Sequence, residues 1–334
     1  MSAPRDGAPG DVAARVEAAR DDGVRGEPAR DGAVRPRRAD WPGAGVRIAV
    51  DVWDVPEGSD PRGTVLLLHG GGQTRHSWHR TGERLARSGW RAVTADLRGH
   101  GDSEWHPGGD YTTDAYAADL RTLASRARSL WDGPLVLAGA SLGGKTALLV
   151  AGEDPSLAQG LVLVDIAVRV EADGSGRVQE FMAGAPEGFA SLEEAAAAVS
   201  AYNPHRKRPA SPDGLRKNLR RRDGRWYWHW DPAMLTTHPD PAEHQKFREE
   251  LYARARRAAL ALTCPLLLVR GRQSDVLSEE GVDEMRTLVP GIRVVDVGGA
   301  GHMVAGDDND VFTGSLVEFL DTAVPGPDQH RTES

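Results

Sequence analysis

The stretch Val136-Leu137-Ala138-Gly139-Ala140-Ser141-Leu142-Gly143-Gly144 decides how this chain is read. Apolar residues run into a serine set between glycines, and Lys145-Thr146-Ala147-Leu148-Leu149-Val150 follows with helical character. A buried strand, a very tight turn and a helix are expected in that order. The spacing Gly139-x-Ser141-x-Gly143 fits a nucleophile elbow. Such a turn holds its serine in a strained backbone conformation, and its neighbours must lack bulk because strand and helix pass close together. Ser141 Oγ would stand above the sheet edge at a helix N-terminus, where backbone N–H groups and the helix dipole favour developing negative charge. In a chain with 39 glycines the five residues alone fit a plain Gly-rich turn equally well. The order of the surrounding parts separates the two readings.

Upstream, Thr64-Val65-Leu66-Leu67-Leu68 is a continuous apolar run, as in a strand covered on both faces. It ends in His69-Gly70-Gly71-Gly72-Gln73, where glycines let backbone amides face a ligand directly. A helix over about 78–88 precedes the strand Arg91-Ala92-Val93-Thr94-Ala95 and the loop Asp96-Leu97-Arg98-Gly99-His100-Gly101-Asp102-Ser103. Residues 113–130 have helical spacing and lead to the elbow strand. Residues 46–53 alternate with period two, as in a half-exposed strand, and order is expected to begin near Val46. Downstream, Leu161-Val162-Leu163-Val164-Asp165 is another buried strand. Strand and helix alternate throughout, which argues for an α/β fold: a mostly parallel central sheet flanked by helices, with right-handed crossovers.

The alternation stops over 167–260. Helix-like segments at 192–201, 212–222 and 241–261 enclose the cluster Trp226-Tyr227-Trp228-His229-Trp230, and together they read as a helical insertion. The sheet resumes at Pro265-Leu266-Leu267-Leu268-Val269, followed by a helix at 279–288, a strand at 292–297 and a helix at 310–323. The expected organisation is a core over 39–166 and 261–324 and the insertion over 167–260. Residues 1–38 hold too little apolar surface to offset chain entropy and read as a disordered extension, and 325–334 as a disordered tail.

A chain of 334 residues can bury a sizeable core, and 40% hydrophobic with 27% charged residues is a globular composition. A net charge of −8 leaves no nucleic-acid footprint. The single cysteine, Cys264, excludes an intrachain disulfide and a cysteine metal cluster and reads as packing. No apolar run approaches the ~20 residues that span a bilayer, and the N-terminus lacks the apolar core of a secretory signal. The expectation is a cytoplasmic protein with no membrane partner, as a monomer or homodimer.

A serine hydroxyl needs a base within hydrogen-bond reach, a carboxylate to orient that base, and preorganised donors for the oxyanion. On an elbow of this kind the chain order is Ser, acid, His. Asp275 follows a strand in Gly271-Arg272-Gln273-Ser274-Asp275, and His302 follows the next in Gly298-Gly299-Ala300-Gly301-His302. Both sit at carboxyl ends of strands, where open α/β sheets build their sites. Asp165 ends a strand too and is the alternative acid; its other reading is hydrogen bonding the start of the insertion. The oxyanion donors would be the N–H groups of Leu142 and Gly71, with a one-residue shift along Gly70, Gly71 and Gly72 left open.

The set His69-Gly70-Gly71-Gly72, Asp96-x-Arg98-Gly99-His100-Gly101-x-Ser103, Gly139-x-Ser141-x-Gly143-Gly144, Asp275 and Gly301-His302 resembles the α/β-hydrolase fold family over about 45–323. The branch it is most similar to includes esterases, cofactor-free haloperoxidases, C–C bond hydrolases and epoxide hydrolases. The resemblance implies an enzyme with a Ser141-His302-Asp275 triad, an acyl-enzyme, and no cofactor or metal. It also implies that the insertion is a helical cap over the active site. Epoxide hydrolases and haloalkane dehalogenases carry aspartate at the elbow, so Ser141 disfavours both chemistries. The expected activity is hydrolysis of a small to medium ester. C–C cleavage or perhydrolysis with the same triad is the alternative, and a non-catalytic ligand-binding relative is the alternative of another class.

The loop from Asp96 to Ser103 and His69 read as structural, with polar groups bonding locally. His76, His79, His100 and His106 make no metal-ligand pattern. The stretch 205–225 holds nine Lys or Arg against Asp213 and Asp223; it is either a solvated face or an attractor of an anionic substrate. Trp226, Trp228 and Trp230 either pack the cap onto the body or line an apolar acyl pocket with Phe181, Met182 and Met234. The substrate is thus a small molecule, anionic or with an apolar acyl group. Lys145, on a helix expected to be buried, either snorkels or touches the cap.

Overall fold

The computed structural model describes residues 34–202, 211–235, 241–298, 301 and 310–324. Of the disorder expected for 1–38 and 325–334, residues 1–33 and 325–334 fall outside those residues, and so does His302; Arg37 and Arg38 are instead part of a strand. In chain order the elements are β1 (Arg37–Pro42), β2 (Arg47–Trp53), β3 (Thr64–Leu68), α1 (His79–Arg87), β4 (Arg91–Ala95), α2 (Thr113–Leu130), β5 (Leu135–Ala140), α3 (Ser141–Glu153) and β6 (Gly160–Val164). The insertion contributes α4 (Ala172–Ala183), α5 (Leu192–Tyr202), β7 (Leu219–Arg222), β8 (Arg225–Trp228) and α6 (Pro241–Leu260). Then come β9 (Leu266–Gly271), α7 (Glu279–Leu288), β10 (Arg293–Val297) and α8 (Asp310–Ala323).

Eight strands make one sheet in the order β1-β2-β4-β3-β5-β6-β9-β10. The pairs β1–β2 and β2–β4 are antiparallel, and the other pairs are parallel. The apolar runs of β3, β5 and β6 are wholly buried because both faces are covered. Along β3, Leu66 and Leu68 join one core with residues of α2, α3 and α7, while Val65 and Leu67 join a second with residues of α1 and α8.

Three local expectations are corrected. Order begins before Val46, because Arg37–Pro42 is an edge strand with Trp41 opposite Ile48. Its charged residues face solvent, as an edge strand protected against further pairing requires. Strand β2 is buried along nearly all its length rather than half-exposed. Its Asp51 is tolerated there because Arg75 Nε lies 3.0 Å away. The insertion is not wholly helical. Residues 212–218 form a 3₁₀ segment, and 219–222 form β7, paired antiparallel with β8. The two-residue turn is Asp223-Gly224, with φ of 49° and 80°. Two left-handed residues in succession are the type I′ geometry that matches strand twist.

Candidate active site

Strand β5 ends at Ala140, and Ser141 opens α3 with φ of 45°, a left-handed conformation unusual for a residue with a side chain. The glycines around it are forced by contact. A Cβ on Gly139 would stand 2.4 Å from the Gly143 carbonyl carbon, one on Gly143 2.5 Å from Leu68 O, and one on Gly144 2.4 Å from Ile166 Cγ2. Strand and helix therefore close on each other only with hydrogen at these positions. Leu142 N–H is among the first amides of α3, which no carbonyl of their own helix can accept.

Across from the serine runs the loop His69–Gln73, where a Cβ on Gly70 would lie 3.3 Å from Ser141 Cβ. Its amides are mostly engaged. Gly70 N–H donates to Gln73 Oε1 at 3.0 Å, Gly72 N–H to His100 Nε2 at 3.2 Å, and Gln73 N–H to Gly70 O at 3.1 Å. Gly71 N–H has no hydrogen-bond partner among the described residues.

Two buried imidazoles stitch this loop to the one after β4. His69 Nε2 accepts from Leu97 N–H at 2.9 Å while Nδ1 faces Gly70 O at 2.8 Å, and His100 Nδ1 faces Arg98 O at 3.0 Å. Burial pushes His69 down to about 4 and, with His69 beside it, His100 down to about 3. Both are neutral and each acts as donor and acceptor at once. The structural reading of the loop from Asp96 to Ser103 agrees with these bonds. Asp96 accepts from Arg75 N–H at 2.6 Å and from Asp102 N–H at 2.8 Å, and Ser103 Oγ donates to Asp96 O at 2.7 Å.

The insertion grips the same loop. His229 Nδ1 accepts from Gly101 N–H at 2.6 Å, Arg220 Nη2 donates to Gly101 O at 2.8 Å and to Asp102 at 2.6 Å, and Asp231 N–H donates to Gly99 O at 2.9 Å. Of the aromatic candidates, Trp230 comes within 3.4 Å of a Cβ placed on Gly72, and Met182 Sδ within 3.3 Å of one on Gly71. Trp228 stacks on Trp230 at 4.8 Å, and Phe181 lies 5.3 Å and 6.3 Å from the two. The four pocket candidates Phe181, Met182, Trp228 and Trp230 thus form one apolar group beside the Gly71–Gly72 backbone. Tyr202, stacked on Phe181 at 4.4 Å, belongs with them and was not foreseen. Trp226 packs elsewhere, bridging to Phe189. Met234 sits against Gly99 instead, with Sδ 3.0 Å from a Cβ placed there.

The acidic candidates differ in surroundings. Asp275 is half-exposed, and its carboxylate pairs with Arg177 of α4, a partner that sequence reasoning missed. Asp165 is completely buried with φ of 53°. Its oxygens accept from Gly271 N–H at 3.0 Å and Ser274 Oγ at 2.5 Å. The bonds expected at the start of the insertion thus reach the loop that carries Asp275. Helix α4 packs onto that loop through Gly174, where a Cβ would stand 2.2 Å from Asp275 O. His302 lies outside the described residues. Among the described residues no helix is long and apolar enough to cross a membrane.

A sequence model of the family described as alpha/beta hydrolase fold matches residues 63–308. The chain is 32% identical to the esterase Rv0045c of Mycobacterium tuberculosis over 276 residues, which is 79% of this chain and 84% of that protein. A solved structure of that esterase superposes with a TM-score of 0.66 over 86% of this chain and 93% of its own. The mouse sn-1-specific diacylglycerol lipase ABHD11 is 27% identical, over 80% of this chain and 84% of the lipase. An E-2-(acetamidomethylene)succinate hydrolase superposes with a TM-score of 0.70 over 86% of this chain and 99% of its own, at 21% identity, a likeness of fold alone. The chain belongs to the α/β-hydrolase fold family and is a hydrolase of that fold.

Proposed function

We propose that this protein is a serine hydrolase acting through an acyl-enzyme on a small to medium ester. Ser141 attacks the acyl carbon, His302 takes the proton from its hydroxyl and returns it to the leaving alkoxide, and Asp275 orients the imidazole. The N–H groups of Leu142 and Gly71 receive the oxyanion, and the insertion acts as the cap that selects the acyl group. One observation carries the reading. Ser141 is held in a left-handed turn at a helix start, facing a loop whose amides at Gly70 and Gly72 are already bonded. That arrangement favours Gly71 over its neighbours as the second donor. The names of the esterase and lipase relatives agree with an ester bond as the target.

A second reading of the acid has its own support. Asp275 is engaged by Arg177, whereas Asp165 is held in the interior by two donors beside the same strand ends. Asp275→Asn and Asp165→Asn, each compared in kcat, decide between them, the true acid giving a fall of about 10⁴-fold.

The first test is a p-nitrophenyl ester series of rising acyl length, with Ser141→Ala alongside. Turnover should pass through an optimum in chain length and fall by about 10⁴-fold or more in the variant. Undiminished turnover by Ser141→Ala would sink the proposal.

A further inference from the structure

Near the start of α3 the partly exposed positions are Ser141, Leu142 and Lys145, a single stripe at i, i+1 and i+4. Residues four apart on a helix stand about 5–6 Å apart at Cβ. Helical side chains tilt toward the N-terminus, so Lys145 leans back toward the turn that carries Ser141. Helix α6 runs beside α3 with the two C-terminal ends together, where Thr263 Oγ donates to Pro155 O at 3.4 Å. A Cβ on Gly152 would meet Ala258 O at 2.2 Å, and Arg254 Nε pairs with Glu153 at 2.7 Å. Ten residues before Ala258 on α6, Arg248 falls level with the first turns of α3, and after burial its charge is what pushes the Lys145 ammonium down.

Neither cation has a hydrogen bond or a carboxylate partner among the described residues. That sets them apart from the other inward-lying cations. Arg75 meets Asp96 and Asp51, Arg98 meets Asp119, and Arg254 meets Glu153 and Asp114. It also sets them apart from the basic stretch over 205–225, whose described arginines are engaged. Arg216 pairs with Asp213 and Arg220 with Asp102, Arg225 donates to two carbonyls, and Arg221 and Arg222 lie over Trp226 and Tyr227. Two neighbouring, partly buried positive charges with no counter-charge among the described residues, in a chain of net charge −8, are unfavourable by themselves and become favourable once an anion sits between them.

We infer that Lys145 and Arg248 form the subsite for a carboxylate carried on the acyl part of the substrate, so that the ester hydrolysed is an anionic half-ester of a short dicarboxylic acid. This rests on Ser141 as the nucleophile. The described arginines of the insertion's basic stretch are then structural, and the attraction for anions resides beside the elbow.

The experiment compares p-nitrophenyl hemiglutarate with p-nitrophenyl valerate, matched in chain length and differing in the terminal carboxylate. The wild-type protein should favour the hemiglutarate in kcat/KM. That preference ratio should drop at least tenfold in Lys145→Met, threefold or more in Arg248→Gln, and remain within about twofold in Lys145→Arg. It should shrink with added salt, as exposed charge attraction does. A ratio unmoved by Lys145→Met, or equal losses on both esters, overturns the inference. If the wild-type protein hydrolyses neither ester, the proposed ester chemistry fails, and calorimetry with glutarate decides the subsite separately. Binding that disappears in Lys145→Met upholds it, and absence of binding to the wild-type protein overturns it.

Discussion

The elbow at the sheet edge and the insertion that faces it are held by different forces. Around Ser141 the geometry is set by backbone against backbone. Gly139, Gly143 and Gly144 each lie where an added Cβ would stand 2.4–2.5 Å from its nearest neighbour. The part of the insertion beside Gly71 and Gly72 is held largely by side chains: Arg220 and His229 on the loop 96–103, and the Phe181, Trp228 and Trp230 rings on one another. Contacts of the first kind admit almost no substitution. Those of the second kind can be exchanged one at a time. The difference suits a fixed chemical device opposite an adjustable wall.

The largest effect should come from touching the first region. Gly143→Ala forces a methyl against Leu68 O and His69 O, both backbone. Strand β3 and helix α3 must separate, costing about 1–3 kcal/mol in stability. A shift of ~1 Å in the serine against the proposed oxyanion donors should lower kcat by about 10²-fold. Urea midpoints and kcat for the variant measure both. A variant with wild-type kcat would show that the close approach has no bearing on the serine.

Acid should act next, and on the seam between the regions. His69 and His100 have folded-state pKa values of about 4 and about 3, below the ordinary 6.5. The unfolded chain therefore binds more protons than the folded one below pH 6.5, and stability falls as pH drops through that value toward the folded pKa. Each imidazole should remove about 2 kcal/mol between pH 7 and pH 5. His100→Gln, which keeps an acceptor for Gly72 N–H, should show a shallower slope in urea midpoint against pH. An unchanged slope would mean that His100 is not neutral in the folded protein.

What the sequence made legible follows the same division. The elbow and the Gly70–Gly72 loop could be read because close packing leaves a spacing of glycines that composition alone does not produce. The buried strands announced themselves by apolar runs. The insertion was read less well. Helix α4 was hidden by Gly174 and Gly176, which lower helix propensity; Gly174 is there because Asp275 O lies against it. The β7–β8 hairpin had a signal in Asp223-Gly224, but Leu219-Arg220-Arg221-Arg222 carries three charges and does not look like a strand. Its arginines are accommodated by Asp102 on one side and by the Trp226 and Tyr227 rings on the other. Those partners are distant in sequence or on the facing strand, so no local pattern exposes them. The Arg177–Asp275 pair escapes for the same reason, since it joins an unforeseen helix to a loop about a hundred residues away.

The smallest effect should come from Arg220→Met. The Arg220–Asp102 pair is partly exposed, with side-chain exposures of 42% and 28%, so screening limits its worth to about 0.5–1 kcal/mol. Asp102 also keeps Arg75 at 3.0 Å, so its charge is not left alone. Stability should therefore change little. The hairpin that carries Trp228 and leads to Trp230 would lose one of its ties to Gly101 and Asp102, and those rings form the wall beside Gly71 and Gly72. KM for a long-chain p-nitrophenyl ester should rise about threefold while kcat for a short one stays near wild type, since the elbow and the proposed oxyanion donors are untouched. A fall in kcat on the short ester would mean that the insertion and the elbow are one mechanical unit, and that the side-chain ties hold the serine's surroundings as firmly as the backbone contacts do.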